Sequence, residues 1–355
     1  MNNVPAWTAN LRKVTPYVPG EQPQEGDKIK LNTNENPYPP SPKVFDAHRK
    51  LDVSAFSLYP ELSAASLVKR LAAYHGISER EVFAGVGSDD VLSMSFLTFF
   101  NSQKPILFPD ITYSFYPVWA QVYQIPYECK PLRGDFTVDV DDYKGENGGV
   151  VIANPNAPTS IGMAAMEIEE IIKANRDVVV IIDEAYVDFG GETVLPLIHK
   201  YDNLLVVRTF SKSRSLAGMR IGYAMGDERL IQALNDVKES VNSYTMNTAS
   251  ISLGAASLED ETYFQRNIGK IVNTRERVGG ELVKLGFEVK ESQTNFLFVS
   301  HKEIPAKHIF ERLKEKHIYV RYFDKERIRN YLRITVGTEE QMGVFLEAVR
   351  EIVLV

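Results

Sequence analysis

The stretch DVVVIIDEAYVDF, Asp177 to Phe189, decides the reading of this chain. From Val178 to Ile182 it is aliphatic without interruption, which suits a strand covered on both faces, because a strand with one wet face would alternate. It then runs straight into a carboxylate, Asp183, with Tyr186 three residues on. In an open parallel sheet such a strand ends at the carboxyl edge, where α/β folds place their ligands. A carboxylate buried there is costly unless a cation meets it. The rest of the sequence has to say what that cation is.

Working outward, the same kind of apolar run recurs as PILFP (105–109), GVVIANP (149–155), NLLVVRTF (203–210) and RIGYAMG (220–226). Helical spacing falls between these runs, over 61–75, 89–100, 164–174, 227–239 and 247–258. That alternation predicts βαβ units and a largely parallel sheet. The tail differs. TYFQRNIGKIVNTRERVGGELVKLG (262–286) carries apolar residues at 264, 268, 271, 272, 278, 282 and 283, the pattern of a long amphipathic helix. NFLFVS, IYVRYF and YLRITVG then read as strands with helices between them. The expected fold is α/β, a large domain with a mostly parallel sheet and helices on both faces, joined to a smaller α+β domain. The expected boundaries are an arm over 1–45, a large domain over 46–259 and a small domain over 260–355. The arm, with LNTNENPYPPSP (31–42), reads as extended and without a helix, and the sequence leaves open which domain it joins.

At 355 residues the chain exceeds the size at which a single core usually keeps growing. It is 44% hydrophobic and 25% charged with a formal net charge of −7, which argues against a nucleic-acid surface. Cys129 is the only cysteine, so an internal disulfide framework and a cysteine-rich metal site are excluded. The six histidines show no metal-binding spacing, and no metal is expected. The start lacks the apolar core of a signal peptide, and no segment is long and apolar enough to cross a bilayer, so a cytoplasmic protein is expected.

The segment NLLVVRTFSKSRSLAGMRIGYAMG (203–226) again runs a buried strand into polar groups, here Ser211 and Lys212. A lone lysine at a sheet edge is usually a solvated surface residue. Its neighbours change that reading: Ser211 precedes it, Arg220 follows beyond LAG, and Asp183 ends another strand of the same sheet. Pyridoxal phosphate asks for this set, a lysine amine for its aldehyde, an acid opposite its pyridinium nitrogen and donors for its phosphate. GVGSDD (85–90) reads as a glycine turn opening a helix, with Gly87, Ser88 and Asp89 offering amides at a helix N-terminus, a ready phosphate site. It is no dinucleotide fingerprint, since the third glycine position holds Asp90.

These motifs, SKSRSLAGMRIG, DEAYVDF and NPNAPTS, resemble those of the fold-type-I pyridoxal-phosphate-dependent aminotransferases. KVTPY, LNTNENPYPP, YPELSA, GVGSDD, QTNFLFV and YLRITVGT extend the likeness over nearly the whole chain. The resemblance implies that Lys212 carries the cofactor and shuttles a proton, and that Asp183 pairs with the ring nitrogen. Tyr186 then donates to the ring oxygen, Tyr113 stacks on the ring, and Ser211 and Arg220 hold the phosphate. It implies a homodimer with shared sites, in which Tyr59 reaches the phosphate of the neighbouring subunit. For the substrate it implies Arg333 as a carboxylate fork, with Arg321, Tyr17 and Asn36 beside it. One departure stands out: the family reads NPNNPTG, and the asparagine that faces the ring oxygen is replaced here by Ala157, so that Asn156 is the remaining candidate. Arg214 is an extra cation to which the sequence assigns no role.

Within the superfamily the chain looks most like the branch that moves an amino group between histidinol phosphate and glutamate in histidine biosynthesis. The rivals are an aromatic-amino-acid aminotransferase, a threonine-phosphate decarboxylase and, from another class, a non-catalytic cofactor-binding regulator. The last would need a DNA-binding domain for which the chain has neither residues to spare nor a basic patch. Neither nucleic acid nor membrane is an expected partner.

Overall fold

A computed structural model describes residues 5–17, 20–23 and 28–354. The arm contributes a 3-10 turn, Ala6–Asn10, and a short strand, β1 (Ile29–Lys30), before α1 (Pro42–Arg49) and α2 (Ala65–His75). Then come β2 (Val82–Gly85), α3 (Ser88–Phe99), β3 (Ile106–Pro109), α4 (Tyr116–Tyr123), β4 (Tyr127–Lys130), β5 (Gly149–Ala153) and α5 (Ala165–Ala174). They are followed by β6 (Val180–Asp183), β7 (Leu204–Thr209), β8 (Gly222–Gly226), α6 (Glu228–Val241) and α7 (Thr248–Ser257). The tail holds α8 (Glu261–Lys284), β9 (Phe287–Val289), β10 (Phe296–His301), α9 (Ala306–Glu315), β11 (Ile318–Tyr319), β12 (Arg321–Tyr322), β13 (Leu332–Thr335) and α10 (Glu339–Val353).

Seven strands form the central sheet in the order β2-β8-β7-β6-β5-β3-β4. Only β8 runs against its neighbours; the other pairings are parallel. The unbroken apolar runs have a direct cause in this sheet. Val180 and Ile182 point into one hydrophobic cluster and Ile181 into another, and Leu204 and Val206 alternate in the same way with Leu205 and Val207. Each face is covered by helices, so no position of the strand is left wet.

The second sheet is antiparallel, in the order β12-β13-β10-β9. The period-two reading of YLRITVG holds: Leu332 and Ile334 are buried in this layer's own core, while Arg333 and Thr335 project from the opposite face. IYVRYF, read as one strand, is divided. β11 pairs in parallel with β1 of the arm, and β12 pairs with β13, with Val320 between them. A chain that serves two sheets must turn between them. The sequence pattern did not reveal α1, α4, the exposed edge strand β4 or the short β9.

The arm is anchored to the C-terminal layer. Leu31 is 1% exposed and packs with Val278, Leu297, Val320 and Ile334, and the Ile29 and Leu31 amides donate to the His317 and Tyr319 carbonyls at 3.0 and 2.7 Å. Leu31→Ala should cost about 2–5 kcal/mol, read from chemical denaturation, because a buried leucine leaves both lost transfer energy and a cavity. In that variant the Ile29 and Leu31 amides should exchange hydrogen faster than those of β6.

Candidate active site

The carboxyl ends of β5, β6 and β7 and the turn after β2 open on one chamber of about 370 Å³. Its phosphate-sized end is built from close backbone approaches. Gly87, with φ +86°, caps α3, and a side chain there would put its Cβ 2.6 Å from an Arg220 guanidinium nitrogen. Gly222 opens β8 so close to this turn that a Cβ would lie 2.2 Å from the Ser88 nitrogen. The first amides of α3 have no partner within the helix, and Arg220 and Ser211 stand beside them with Nη1 to Oγ at 3.5 Å. The Asp89 side chain orders this end. It accepts from the Tyr113 hydroxyl at 2.6 Å and from Arg220 Nη2 at 3.3 Å. The aromatic wall and the anion cradle are thereby tied together.

Asp183 stands at the other end of the chamber. Its carboxylate accepts from the Tyr116 hydroxyl at 2.9 Å and from the Ala185 amide at 3.2 Å. Burial nonetheless pushes its pKa up to about 6, and these two donors and the charge of Lys212 only partly offset that. Tyr116 was not singled out in the sequence. Its position three residues after Tyr113, at the start of a mostly apolar stretch, was the available signal.

Lys212 projects between Thr33 and Tyr186. Its Nζ donates to the Thr33 carbonyl at 3.4 Å and lies 5.7 Å from the centre of the Tyr186 ring. The backbone that carries it is clamped. Asn36 Nδ2 donates to the carbonyls of Lys212 and Ser213, each at 3.1 Å, and the Ser213 hydroxyl donates to Asp188 at 2.5 Å. Asn36, expected at the substrate, thus spends its amide on the lysine loop.

A smaller recess of about 130 Å³ adjoins the chamber and shares Lys212, Tyr113 and Tyr186 with it. Tyr17, Arg321 and Arg333 line it. Arg321 and Arg333 are directly opposed across β12 and β13, so two guanidinium groups share one wall. Arg333 donates from Nη2 to the Asn32 carbonyl at 2.8 Å, while its buried Nε has no hydrogen-bond partner. Burial lowers its pKa, and the charge of Arg321 adds to the shift. Tyr17 stacks on Phe115 with ring centres 4.3 Å apart. Like charges crowded around an unsatisfied donor make a wall suited to an anion.

Two expected residues lie elsewhere. Asn156 is buried, but its amide donates to the Ile111 carbonyl and the Thr159 hydroxyl and accepts from the Thr112 hydroxyl, bonds that tie its loop to the segment after β3. Ala157 lines the chamber in its stead. Tyr59 is 82% exposed and stacks on Tyr244 at 4.6 Å, outside the chamber of its own chain. Arg214 is a buried cation held over Phe264 and Tyr74 at 4.1 and 4.7 Å, with Nη1 on the Ser257 carbonyl at 2.9 Å, where it packs α7 and α8 onto the sheet. Among the described residues no three His, Cys, Asp or Glu side chains gather as a metal site, and no helix is long and apolar enough to cross a membrane.

A fold with this sheet and a lysine, a buried carboxylate and an anion cradle at one sheet edge defines a class, and the sequence comparison agrees. The family described as aminotransferase class I and II matches residues 26–349, and the chain belongs to it. The histidinol-phosphate aminotransferase of Lactococcus lactis subsp. cremoris (strain MG1363) is 52% identical over 346 residues, 98% of this chain and 97% of that protein. Among solved structures, the histidinol-phosphate aminotransferase of Sinorhizobium meliloti in complex with pyridoxal-5'-phosphate superposes with a TM-score of 0.84 at 24% identity, over 92% of this chain and 91% of that one. L-threonine-O-3-phosphate decarboxylase of Porphyromonas gingivalis superposes with a TM-score of 0.76 at 20% identity, over 91% of this chain and 98% of that one. The fold is therefore common to transaminases and a decarboxylase, and chemistry has to be argued from the site.

Asp183 also has a measurable effect on the polypeptide freed of small molecules. An acid of ordinary pKa in the unfolded chain and about 6 in the folded one is protonated in both states below about pH 4 and adds nothing there. Between about pH 4 and 6 the unfolded chain releases a proton that the folded chain keeps, so stability falls as pH rises and the full cost is reached above about 6. Asp183→Asn should therefore stabilise the cofactor-free protein at pH 8 by up to about 3 kcal/mol, and by almost nothing at pH 4. Denaturation at the two pH values measures the difference.

Proposed function

We propose that this chain is a pyridoxal-phosphate-dependent aminotransferase acting between histidinol phosphate with its keto partner and the glutamate/2-oxoglutarate pair, in histidine biosynthesis. The observation that carries the substrate assignment is the recess where Arg321 and Arg333 face each other beside Lys212, with the Arg333 Nε buried and unpartnered. Histidinol phosphate brings an amine to the lysine and a phosphate to the two arginines. An aromatic amino acid would bring its carboxylate to Arg333 but no second anion to the neighbouring Arg321.

The chamber suits the cofactor in its donors and in its shape. The first amides of α3, Ser211 and Arg220 would hold the phosphate, close packing at Gly87 and Gly222 leaves that end open to an anion, and Tyr113 forms the wall against the ring. Asp183 would face the ring nitrogen, a cation that pays back the desolvation the carboxylate carries alone. When bound, the cofactor supplies an electron sink for the carbon that bears the amine. Lys212 Nζ would hold the aldehyde end and, as a free amine, would carry the proton at that substrate carbon. Tyr186, which lines the chamber, would donate from its hydroxyl to the ring oxygen. Arg333 serves the glutamate carboxylate in one half-reaction and, with Arg321 and Tyr17, the phosphate in the other.

The arm over 1–45, a cofactor-binding domain over 46–259 and a smaller domain over 260–355 are the division this reading uses. It also takes the chain to be a cytoplasmic homodimer. Exposed Val53, Phe56, Leu58 and Leu62 surround the exposed Tyr59 in sequence, an apolar segment that a second copy would cover while placing Tyr59 at the neighbouring phosphate site. Sedimentation velocity of the holoenzyme should give a dimer; a fully active monomer would overturn the shared site.

Lys212→Ala should abolish turnover. Arg321→Ala should lower kcat/KM for histidinol phosphate by a few orders of magnitude, corresponding to about 2–5 kcal/mol, and lower it much less for phenylalanine. Single-turnover half-reactions against both amines check this. Equal reactivity of the unaltered enzyme toward the two amines would favour an aromatic-amino-acid aminotransferase, and release of carbon dioxide would mark a decarboxylase.

A further inference from the structure

We propose that Asn34 is a positioning residue that fixes the direction of the Tyr186 hydroxyl proton, making that hydroxyl a one-way donor into the chamber; the inference rests on the reading of the chamber as the cofactor site. Asn34 lies in LNTNENP, the motif from which only Asn36 had been singled out, and it is 1% exposed. Its φ of +57° is a left-handed conformation that asparagine tolerates better than most side chains.

The proton directions follow from which groups can only donate. The Asn34 backbone N–H donates to Thr335 Oγ1 at 3.0 Å, so that oxygen is an acceptor there. The Thr335 hydroxyl must place its own proton elsewhere, and Asn34 Oδ1 lies 3.1 Å away in position to accept it. This settles which end of the Asn34 amide is oxygen and which is nitrogen. The nitrogen, Nδ2, therefore faces the Tyr186 hydroxyl at 2.8 Å and can only donate to it. With one lone pair so engaged, the Tyr186 proton points away from Asn34, and the residue lines both the chamber and the recess. Asn295 Nδ2 holds the Asn34 carbonyl at 2.9 Å, so the residue is restrained on three sides. The relay runs from Thr335 through Asn34 and Tyr186 to the chamber, and its first member stands on β13 two residues from Arg333.

Ala157 makes this relay consequential. With an alanine lining the chamber and the Asn156 amide bonded to Ile111, Thr112 and Thr159, Tyr186 is a side-chain hydroxyl of the chamber wall whose proton its bond from Asn34 leaves directed away from Asn34. A donor on an oxyanion favours the deprotonated form and lowers the pH at which it takes up a proton.

The test is a pH titration of the visible absorbance of the cofactor-loaded protein, with the thermal midpoint of each cofactor-free variant read in parallel. Tyr186→Phe should raise the absorbance midpoint by about one pH unit or more. Asn34→Asp keeps the size but replaces the donor with an acceptor that draws the Tyr186 proton back, and should raise the midpoint by a similar amount. The same substitution in the Tyr186→Phe background should add much less. Thr335→Val keeps Asn34 and its fold but removes the proton that fixes the amide, and should move the midpoint in the same direction by a smaller step. If Tyr186→Phe shifts the midpoint while Asn34→Asp and Thr335→Val do not, the positioning role fails and the site reading stands. Equal shifts from Asn34→Asp with and without Tyr186 would reduce its effect to charge and also overturn the role. An unmoved midpoint in Tyr186→Phe would remove the site reading and the relay together.

Discussion

The structure turns on one buried carboxylate. Asp183 ends a strand whose every residue is enclosed, and its two hydrogen-bond donors do not compensate the water it has lost. A cation lying against the carboxylate would offset that cost. The geometry around it follows: an aromatic wall from Tyr113, an anion cradle at the far end of the chamber and a lysine between them. On the function proposed above, each group would address a different part of pyridoxal phosphate.

The neighbouring acid shows why position in the sheet matters more than residue type. Glu184 follows Asp183 directly, yet it turns to the other side of the strand and pairs with Arg208 at 2.8 Å, with Thr193 and the Val194 amide completing its shell. Both acids are buried and burial raises the pKa of both. Glu184 has its cation within the chain and so fastens β6 to β7. Asp183 is left facing the chamber, with hydrogen bonds from Tyr116 and Ala185 but no ion pair among the described residues.

Much of this was legible in the sequence because the central strands obey a strong rule. A strand buried on both faces needs an unbroken apolar run, and β3, β5, β6 and β7 all have one. The residues at or just beyond their carboxyl ends, Asp183, Ser211 and Lys212, accordingly line one chamber. What stayed hidden depends on long-range pairing. IYVRYF looks continuous, but β1 claims one half and β13 the other. The exposed β4 carries no apolar signature to read. Asn34 and Asn36 sit two residues apart in one motif, and only the fold shows that one addresses the Tyr186 hydroxyl and the other the Lys212 carbonyl. Tyr116 was similarly masked, because an aromatic in an apolar helix ordinarily means packing.

The arm is what joins the two sheets into one working unit. Thr33 receives the Lys212 amine, Asn34 holds Tyr186, Asn36 holds the Lys212 backbone, and the Asn32 carbonyl receives Arg333, all within five consecutive residues. The same segment begins in β1, paired to β11, with Leu31 sunk in the core beneath β13. Arg333 and Thr335 project from the same face of β13. The strand that carries Arg333 also carries Thr335, which bonds Asn34, and Asn34 in turn bonds the Tyr186 hydroxyl. Arg333 and Thr335 thus both bond to the segment 32–34, so a displacement of β13 would pull on both contacts.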